Sequence, residues 1–230
     1  MSMNIKPKAI ILLAGMGSRL GRPRPKSLAS LGNGETILSR QLRILKGFDL
    51  EITAVVGFKK DIIMEAAPDL LFCYNPYYDT TNTSKSLLCA LKHLQEQDVL
   101  WLNGDVVFEP DVIKCMLESD GSAVAANTAR VAEEEIKYTL NADGYIDKIS
   151  KQVSPALGEA LGINLIRQPF VKPFCEQLAK VNDNDYFERA MELLIEKEGN
   201  VFKPVDVTQY ACIEVDFNED LEKAKKLLEE

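Results

Sequence analysis

Lys8-Ala9-Ile10-Ile11-Leu12-Leu13-Ala14-Gly15-Met16-Gly17-Ser18-Arg19-Leu20-Gly21 runs without a break from an apolar segment into a glycine-rich loop. Beyond Lys8, no polar side chain interrupts residues 8–14, the pattern of a strand buried on both faces of a parallel sheet. Gly15 and Gly17 let a backbone come close to a phosphate chain with its N–H groups turned inward. Arg19 and, after Pro25, Lys26 add fixed positive charge where phosphate oxygens would lie. A polyphosphate needs that charge most as pyrophosphate leaves.

Working outward from this stretch, strands and helices alternate. Strands are expected at 52–57, 70–74, 99–102 and 122–128, and helices at 37–46, 60–67, 83–95 and 110–118. Thr36 is placed to cap the first helix, Pro68 to stop the second, and Pro110 to open the fourth. Alternation of this kind predicts an α/β fold with a doubly wound, mostly parallel, Rossmann-like sheet. Shorter strands at 138–141, 146–149 and 161–167 look like a small antiparallel insertion, with a turn at Asn141-Ala142-Asp143-Gly144. Helices at 170–179 and 185–198, strands at 202–205 and 212–215 and a charged helix at 218–230 complete the chain. With no repeat, linker or low-complexity tract, residues 1–230 read as one domain.

The 230 residues include 27 Lys+Arg against 35 Asp+Glu, a net charge of -8, and this acidity argues against nucleic-acid binding and against a lipid-held surface. The apolar run at the start is too short for a membrane span or a signal h-region, and Arg19, Arg22, Arg24 and Lys26 follow it. Five scattered cysteines with no C-x-x-C pair read as free thiols of a cytoplasmic protein. The single histidine, His93, offers no second member for a triad or a His-rich metal site. Glu133-Glu134-Glu135 reads as a solvated surface run.

Three readings of the first loop compete. Gly15, Gly17 and Gly21 loosely match a dinucleotide fingerprint, but the second strand ends Val55-Val56-Gly57-Phe58 with no acid for a ribose, and Arg19 and Pro25-Lys26 have no use there. A plain glycine turn beside a basic surface is the second. The third is a family resemblance. L-A-x-G-x-G-x-R-[LM]-G followed by P-K resembles the signature of the MobA-like or sugar-nucleotidyltransferase superfamily. The spacing of Arg19 and Lys26, seven residues, is similar to the short loop of the inositol-phosphate and methylerythritol-phosphate cytidylyltransferases. Leu13 stands where an alanine is common.

Further stretches match in order. Asn75-Pro76-Tyr77-Tyr78 leading to Asn82-Thr83-Ser84-Lys85-Ser86-Leu87 resembles the N-x-x-x-S-L element of phosphocholine cytidylyltransferase-type enzymes, whose loop and helix start hold the nucleotide. Asn103-Gly104-Asp105 stands where the family carries a metal-binding aspartate, and Glu214-Val215-Asp216 with Asp220 resembles its second acidic element. The resemblance implies nucleotide contacts from Leu13, Ala14, Gly15, Met16, Gly17, Ser18, Asn82, Ser86 and Gly104. It implies transition-state charge from Arg19 and Lys26, and Mg2+ held by Asp105 and Asp216. Mg2+ suits the site because it takes a few carboxylates plus phosphate oxygens.

An acceptor phosphate is already a nucleophile at neutral pH, so no covalent intermediate is expected. Acids beside aromatics at Glu159 and across Asp185-Tyr186-Phe187-Glu188 would suit a cationic acceptor such as phosphocholine or an aminoalkyl phosphate or phosphonate. Lys151 could meet its phosphate. The same acids could hold the hydroxyls of a sugar-1-phosphate or polyol phosphate, and Asp185 could simply cap a helix. The expected reaction joins an NTP, CTP favoured, to the acceptor with release of pyrophosphate. A non-catalytic nucleotide-binding module is the alternative of another class. A homodimer is compatible with the sequence.

Overall fold

The computed structural model describes residues 6–16, 24–32, 34–129, 131 and 135–228. Its centre is a nine-stranded sheet. β1 (Lys8–Leu13) lies between β4 (Ile52–Val56) and β6 (Val99–Asn103), parallel to both, and β5 (Leu71–Tyr74) extends the sheet beyond β4, again parallel. On the other side, β11 (Gly158–Ile166) runs antiparallel to β6, β8 (Ser122–Asn127) antiparallel to β11, and β12 (Phe202–Asp206) parallel to β8.

Beyond Lys8 the first strand is apolar because both of its faces are covered. Ile10, Leu12 and Ala14 belong to one core layer, Ala9, Ile11 and Leu13 to the other. Helices α3 (Thr83–Leu91), α5 (Gln168–Lys180) and α6 (Phe187–Glu198) pack on the first face. Helices α1 (Ile37–Gly47), α2 (Lys60–Ala66) and α4 (Pro110–Glu118) pack on the second. Trp101 fills the first layer, with the rings of Phe174 and Phe187 at 5.5 and 5.7 Å. The expected doubly wound sheet is therefore present, and α1 is capped by Thr36, whose hydroxyl accepts from the Ser39 amide.

The expected antiparallel insertion is also present and has a definite geometry. The first part of β11 pairs with β9 (Lys137–Leu140), which pairs with β10 (Ile146–Ser150); the last part pairs with β6. The switch falls at a register shift between Ala160 and Asn164, where Gly162 takes φ +67°, a value that favours glycine. The strand starts at Gly158 rather than 161, because its first residues find a partner in β9.

Other differences are local. The third helix ends at Leu91 rather than 95, since His93 and Leu94 bond back only three residues, to Ala90 and Leu91. The sixth begins at Phe187 rather than 185. Three short strands escape the periodicity reading: β2 (Ser30–Gly32), β3 (Glu35–Thr36) and β7 (Val106–Phe108). β7 pairs antiparallel with β13 (Cys212–Glu214), and α7 (Asn218–Leu227) follows. Among the described residues no helix is long and apolar enough to cross a membrane.

Candidate active site

A cleft of about 720 Å3 opens at the carboxyl ends of β1 and β6, where ligands of open α/β sheets gather. Leu13, Ala14, Gly15 and Met16 form one wall. β6 exits beside them through Gly104, whose amide donates to the Leu12 carbonyl at 3.0 Å. A Cβ at this position would collide with Leu13 Cδ2 and lie 2.6 Å from the Leu12 oxygen, so only glycine lets the next residue, Asp105, stand over the end of β1.

Asp105 and Asp216 are brought together by the pairing of β7 with β13. Glu214 sits opposite Val106, and the Val215 amide donates to the Asp105 carbonyl at 3.0 Å. Asp216 thus emerges next to Asp105. Lys26 enters from a single turn of 3-10 helix, Lys26–Leu28, behind Pro25. Its Nζ lies 2.8 Å from Asp105 Oδ2 and 2.5 Å from Asp216 Oδ1. Burial works against the ammonium, but Asp105 and then Asp216 outweigh it, so the Lys26 pKa is raised.

Asp105 Oδ1 is buried without a hydrogen-bond partner. Two hard carboxylates, one with a spare oxygen, and an ammonium already seated between them make a place where a small divalent cation fits. Among the described residues no group of three or more His, Cys, Asp or Glu closes around a metal. Glu214 stands behind the pair, with Asn103 Nδ2 at 3.4 Å. Burial first, then Asp105 and Asp216, holds its carboxyl well above the usual range.

The far end of the cleft has a different chemistry. Lys151 Nζ is 5.6 Å from the Tyr186 ring centroid. Glu188, in the first turn of α6, is 9% exposed, and its Oε2 has no hydrogen-bond partner. Burial, only partly opposed by a hydrogen bond from its own backbone amide and then by Lys151, pushes its pKa up to about 7. Glu159 is buried on β11, with Asn127 Nδ2 at 3.4 Å from its Oε1.

Glu135 also lines this end, which corrects its reading as a solvated surface residue. Burial and the neighbouring Glu159 raise its pKa. A run of glutamates carries no sequence signal that one member turns inward. Glu133 and Glu134 lie outside the described residues.

Asp185 departs from expectation. It does not line the cleft, and it does not cap α6 either: its carboxylate accepts from the Asn182 amide at 2.8 Å, within the connection before the helix, and α6 has no side-chain cap. Asn82 and Ser86 line the cleft, but their side chains are engaged internally. Asn82 Oδ1 accepts from the Thr83 amide and Ser86 Oγ from Asn75 Nδ2. Gly17, Ser18 and Arg19 lie outside the described residues.

One cleft thus gathers a glycine-bearing loop, a lysine between two carboxylates, and a second lysine among glutamates. Comparison with known proteins gives this arrangement a family. Residues 9–196 match the model of the MobA-like NTP transferase domain. The CMP-5'-(3-aminopropyl)phosphonate synthase of Streptomyces rubellomurinus is 31% identical over 91% of this chain, which spans 37% of that protein's length. The bifunctional protein GlmU of Methanococcus maripaludis is 29% identical over 71% of this chain and 39% of its own.

Among solved structures, the inositol-1-phosphate CTP transferase of T. maritima superposes with TM-score 0.80 at 17% identity, covering 97% of this chain and 95% of its own. The CTP:phosphocholine cytidylyltransferase of Streptococcus pneumoniae gives 0.73 at 19%, covering 97% and 100%. These structures share the fold. The family match, which takes in the glycine loop, Lys26, Asp105, Lys151 and Glu188, decides what the chain is: a member of the MobA-like NTP transferase domain family, whose members are nucleotidyltransferases.

Proposed function

We propose that the chain is a Mg2+-dependent cytidylyltransferase that joins CTP to a small phosphorylated acceptor bearing an ammonium group, an aminoalkyl phosphate or phosphonate. An acceptor oxygen attacks the α-phosphorus, the bond from that phosphorus to the bridging oxygen of the β-phosphate breaks, and pyrophosphate leaves. The observation that carries the reading is the polarity of one cleft: Lys26 bound by Asp105 and Asp216 at one end, and the Glu188 carboxyl, whose Oε2 has no partner, with Lys151 and Tyr186 at the other.

The backbone from Leu13 to Met16, continued in sequence by Gly17 and Ser18, cradles the triphosphate in this reading. Lys26 and Arg19 neutralise charge on the departing pyrophosphate. Asp105 and Asp216 would hold Mg2+, which when bound supplies charge stabilisation at the phosphates. Glu188 would accept an N–H from the acceptor's ammonium, with the Tyr186 ring beside it, and Lys151 would face the acceptor's phosphate. A primary ammonium suits an unpaired buried carboxyl oxygen better than a quaternary one, which has no N–H to give.

CTP and the aminoalkyl acceptor are favoured by the names of the relatives, one a CMP-aminopropylphosphonate synthase, two CTP transferases by fold. Glu159 with its Asn127 partner supports a second reading, a sugar-1-phosphate or polyol-phosphate acceptor whose hydroxyls would bind there. Pyrophosphate release, assayed with each of four NTPs against aminoalkyl phosphonates, phosphocholine, sugar-1-phosphates and polyol phosphates, tests both. Turnover with CTP and an aminoalkyl phosphonate is expected. Turnover only with sugar or polyol phosphates would move the assignment to the second reading, and none with any pair would favour a non-catalytic nucleotide-binding module.

A further inference from the structure

Helix α3 begins at the cleft, and its first residues belong to the stretch whose resemblance is to a nucleotide-holding element. Their hydrogen bonds lead elsewhere. The Asn82 amide donates to the Asp183 carbonyl at 2.7 Å, and Asn82 Nδ2 to the Asn184 carbonyl at 3.2 Å. Ser84 Oγ, fully buried, donates to the Asp185 carbonyl at 2.6 Å. Thr83 Oγ1 accepts from the Phe187 amide at 3.2 Å. Lys85 Nζ donates to the carbonyls of Val181, Leu178 and Ala179 at 2.6, 3.0 and 3.3 Å.

These contacts end on the last turn of α5, on the connection from it to α6, and, for Thr83, on the first residue of α6. A helix's last carbonyls have no partner within the helix and carry the negative end of its dipole, so an ammonium is the natural donor there. The connection has no strand or helix of its own to satisfy its backbone. Donors from α3 do so, at the carbonyls of residues 181, 183, 184 and 185. Tyr186 and Glu188, which follow directly, are the residues this connection delivers to the cleft.

We propose that Asn82–Lys85 is the strut that positions the acceptor loop, with Ser84 and Lys85 as positioning residues for Tyr186 and Glu188 rather than as contacts to the nucleotide. The assignment of that end of the cleft to the acceptor rests on the function proposed above; the strut itself rests on the hydrogen bonds. Its consequence is a split in kinetic constants. Loss of the strut loosens the placement of the acceptor while leaving the triphosphate end intact.

The test uses the full chain with Ser84→Ala and Lys85→Met, and Ser84→Thr and Lys85→Arg as conservative partners. In each disruptive variant the acceptor KM is expected to rise about tenfold or more, Ser84→Ala losing one hydrogen bond and Lys85→Met three, with the CTP KM unchanged. The conservative partners should restore the parent value. Hydrogen exchange at the amides of residues 182–187 should quicken in the disruptive variants only, a readout that needs no activity and separates failure of the strut from failure of the proposed reaction. A CTP KM that rises as much as the acceptor KM, or exchange in the loop that stays at the parent rate, would overturn the proposal. If Ser84→Ala does not fold, Lys85→Met, at a partly exposed position, decides it alone.

Discussion

The two lysines of the cleft sit in opposite circumstances. Lys26 is held by two carboxylates that come from positions 79 and 190 residues further along the chain. Lys151 lies over an aromatic ring, while Glu135 and Glu188 are pushed toward their protonated forms. At the first end an ammonium bridges two carboxylates, and the free oxygen of Asp105 is left for a ligand. At the other the buried Glu188 carboxyl also keeps one oxygen without a partner, which a ligand can complete. In the proposed reading the ion-paired end suits any triphosphate, and the end holding Glu188 discriminates among acceptors.

The largest expected effect breaks the first end. Asp105→Asn should cost about 10²- to 10³-fold in kcat with Mg2+, while the thermal midpoint stays near the parent's, because Asp216 still pairs with Lys26. Wild-type turnover by this variant would remove Asp105 from the site. Lys26→Met comes next, with an expected loss of about 10²-fold in kcat. It also leaves Asp105 and Asp216 facing each other unneutralised, so Mg2+ without nucleotide should raise its melting temperature more than the parent's. An equal rise in both proteins would show that the lysine does not occupy the cation's place.

The second end yields smaller effects. Glu188→Gln should raise the acceptor KM about tenfold and leave the CTP KM alone. It also carries a pH signature. Burial raises the Glu188 pKa from 4.5 to about 7, so the folded protein holds this proton more tightly than the unfolded chain. The parent therefore loses stability as pH climbs from 4.5 to 7, and the variant should be the more stable of the two at pH 8, by roughly 1–3 kcal/mol. Urea unfolding at pH 5 and pH 8 checks the sign. Tyr186→Leu is the smallest, with a two- to fivefold rise in acceptor KM, about the worth of one exposed cation–π contact.

How far the sequence was legible follows from how local each signal is. β1 and its loop could be read because a strand buried on both faces must be apolar throughout, and the glycines and cations follow within one short segment. Asp105 was legible as the residue leaving a buried strand. The adjacency of Asp216 to it was legible only through the family pattern, since β7 and β13 have three residues each and no period can show in so few. Asp185 and Glu135 were misjudged for the same reason from opposite sides. Whether an acidic side chain turns to solvent, to a neighbouring amide or into a cleft is decided by the fold of its loop, which composition does not encode. Asn82 through Lys85 look like a ligand loop in sequence, and only the backbone beyond α5 reveals what their donors reach.

The account stands on a nucleotide and an acceptor meeting in one cleft, and phosphorus NMR of a single reaction mixture observes that meeting. With the chain, Mg2+, CTP and an aminoalkyl phosphonate, the account predicts a coupled pair of resonances from a mixed phosphonate–phosphate anhydride. That pair should grow in step with inorganic pyrophosphate. A spectrum that stays unchanged, or pyrophosphate that appears with CMP and no anhydride, would contradict it.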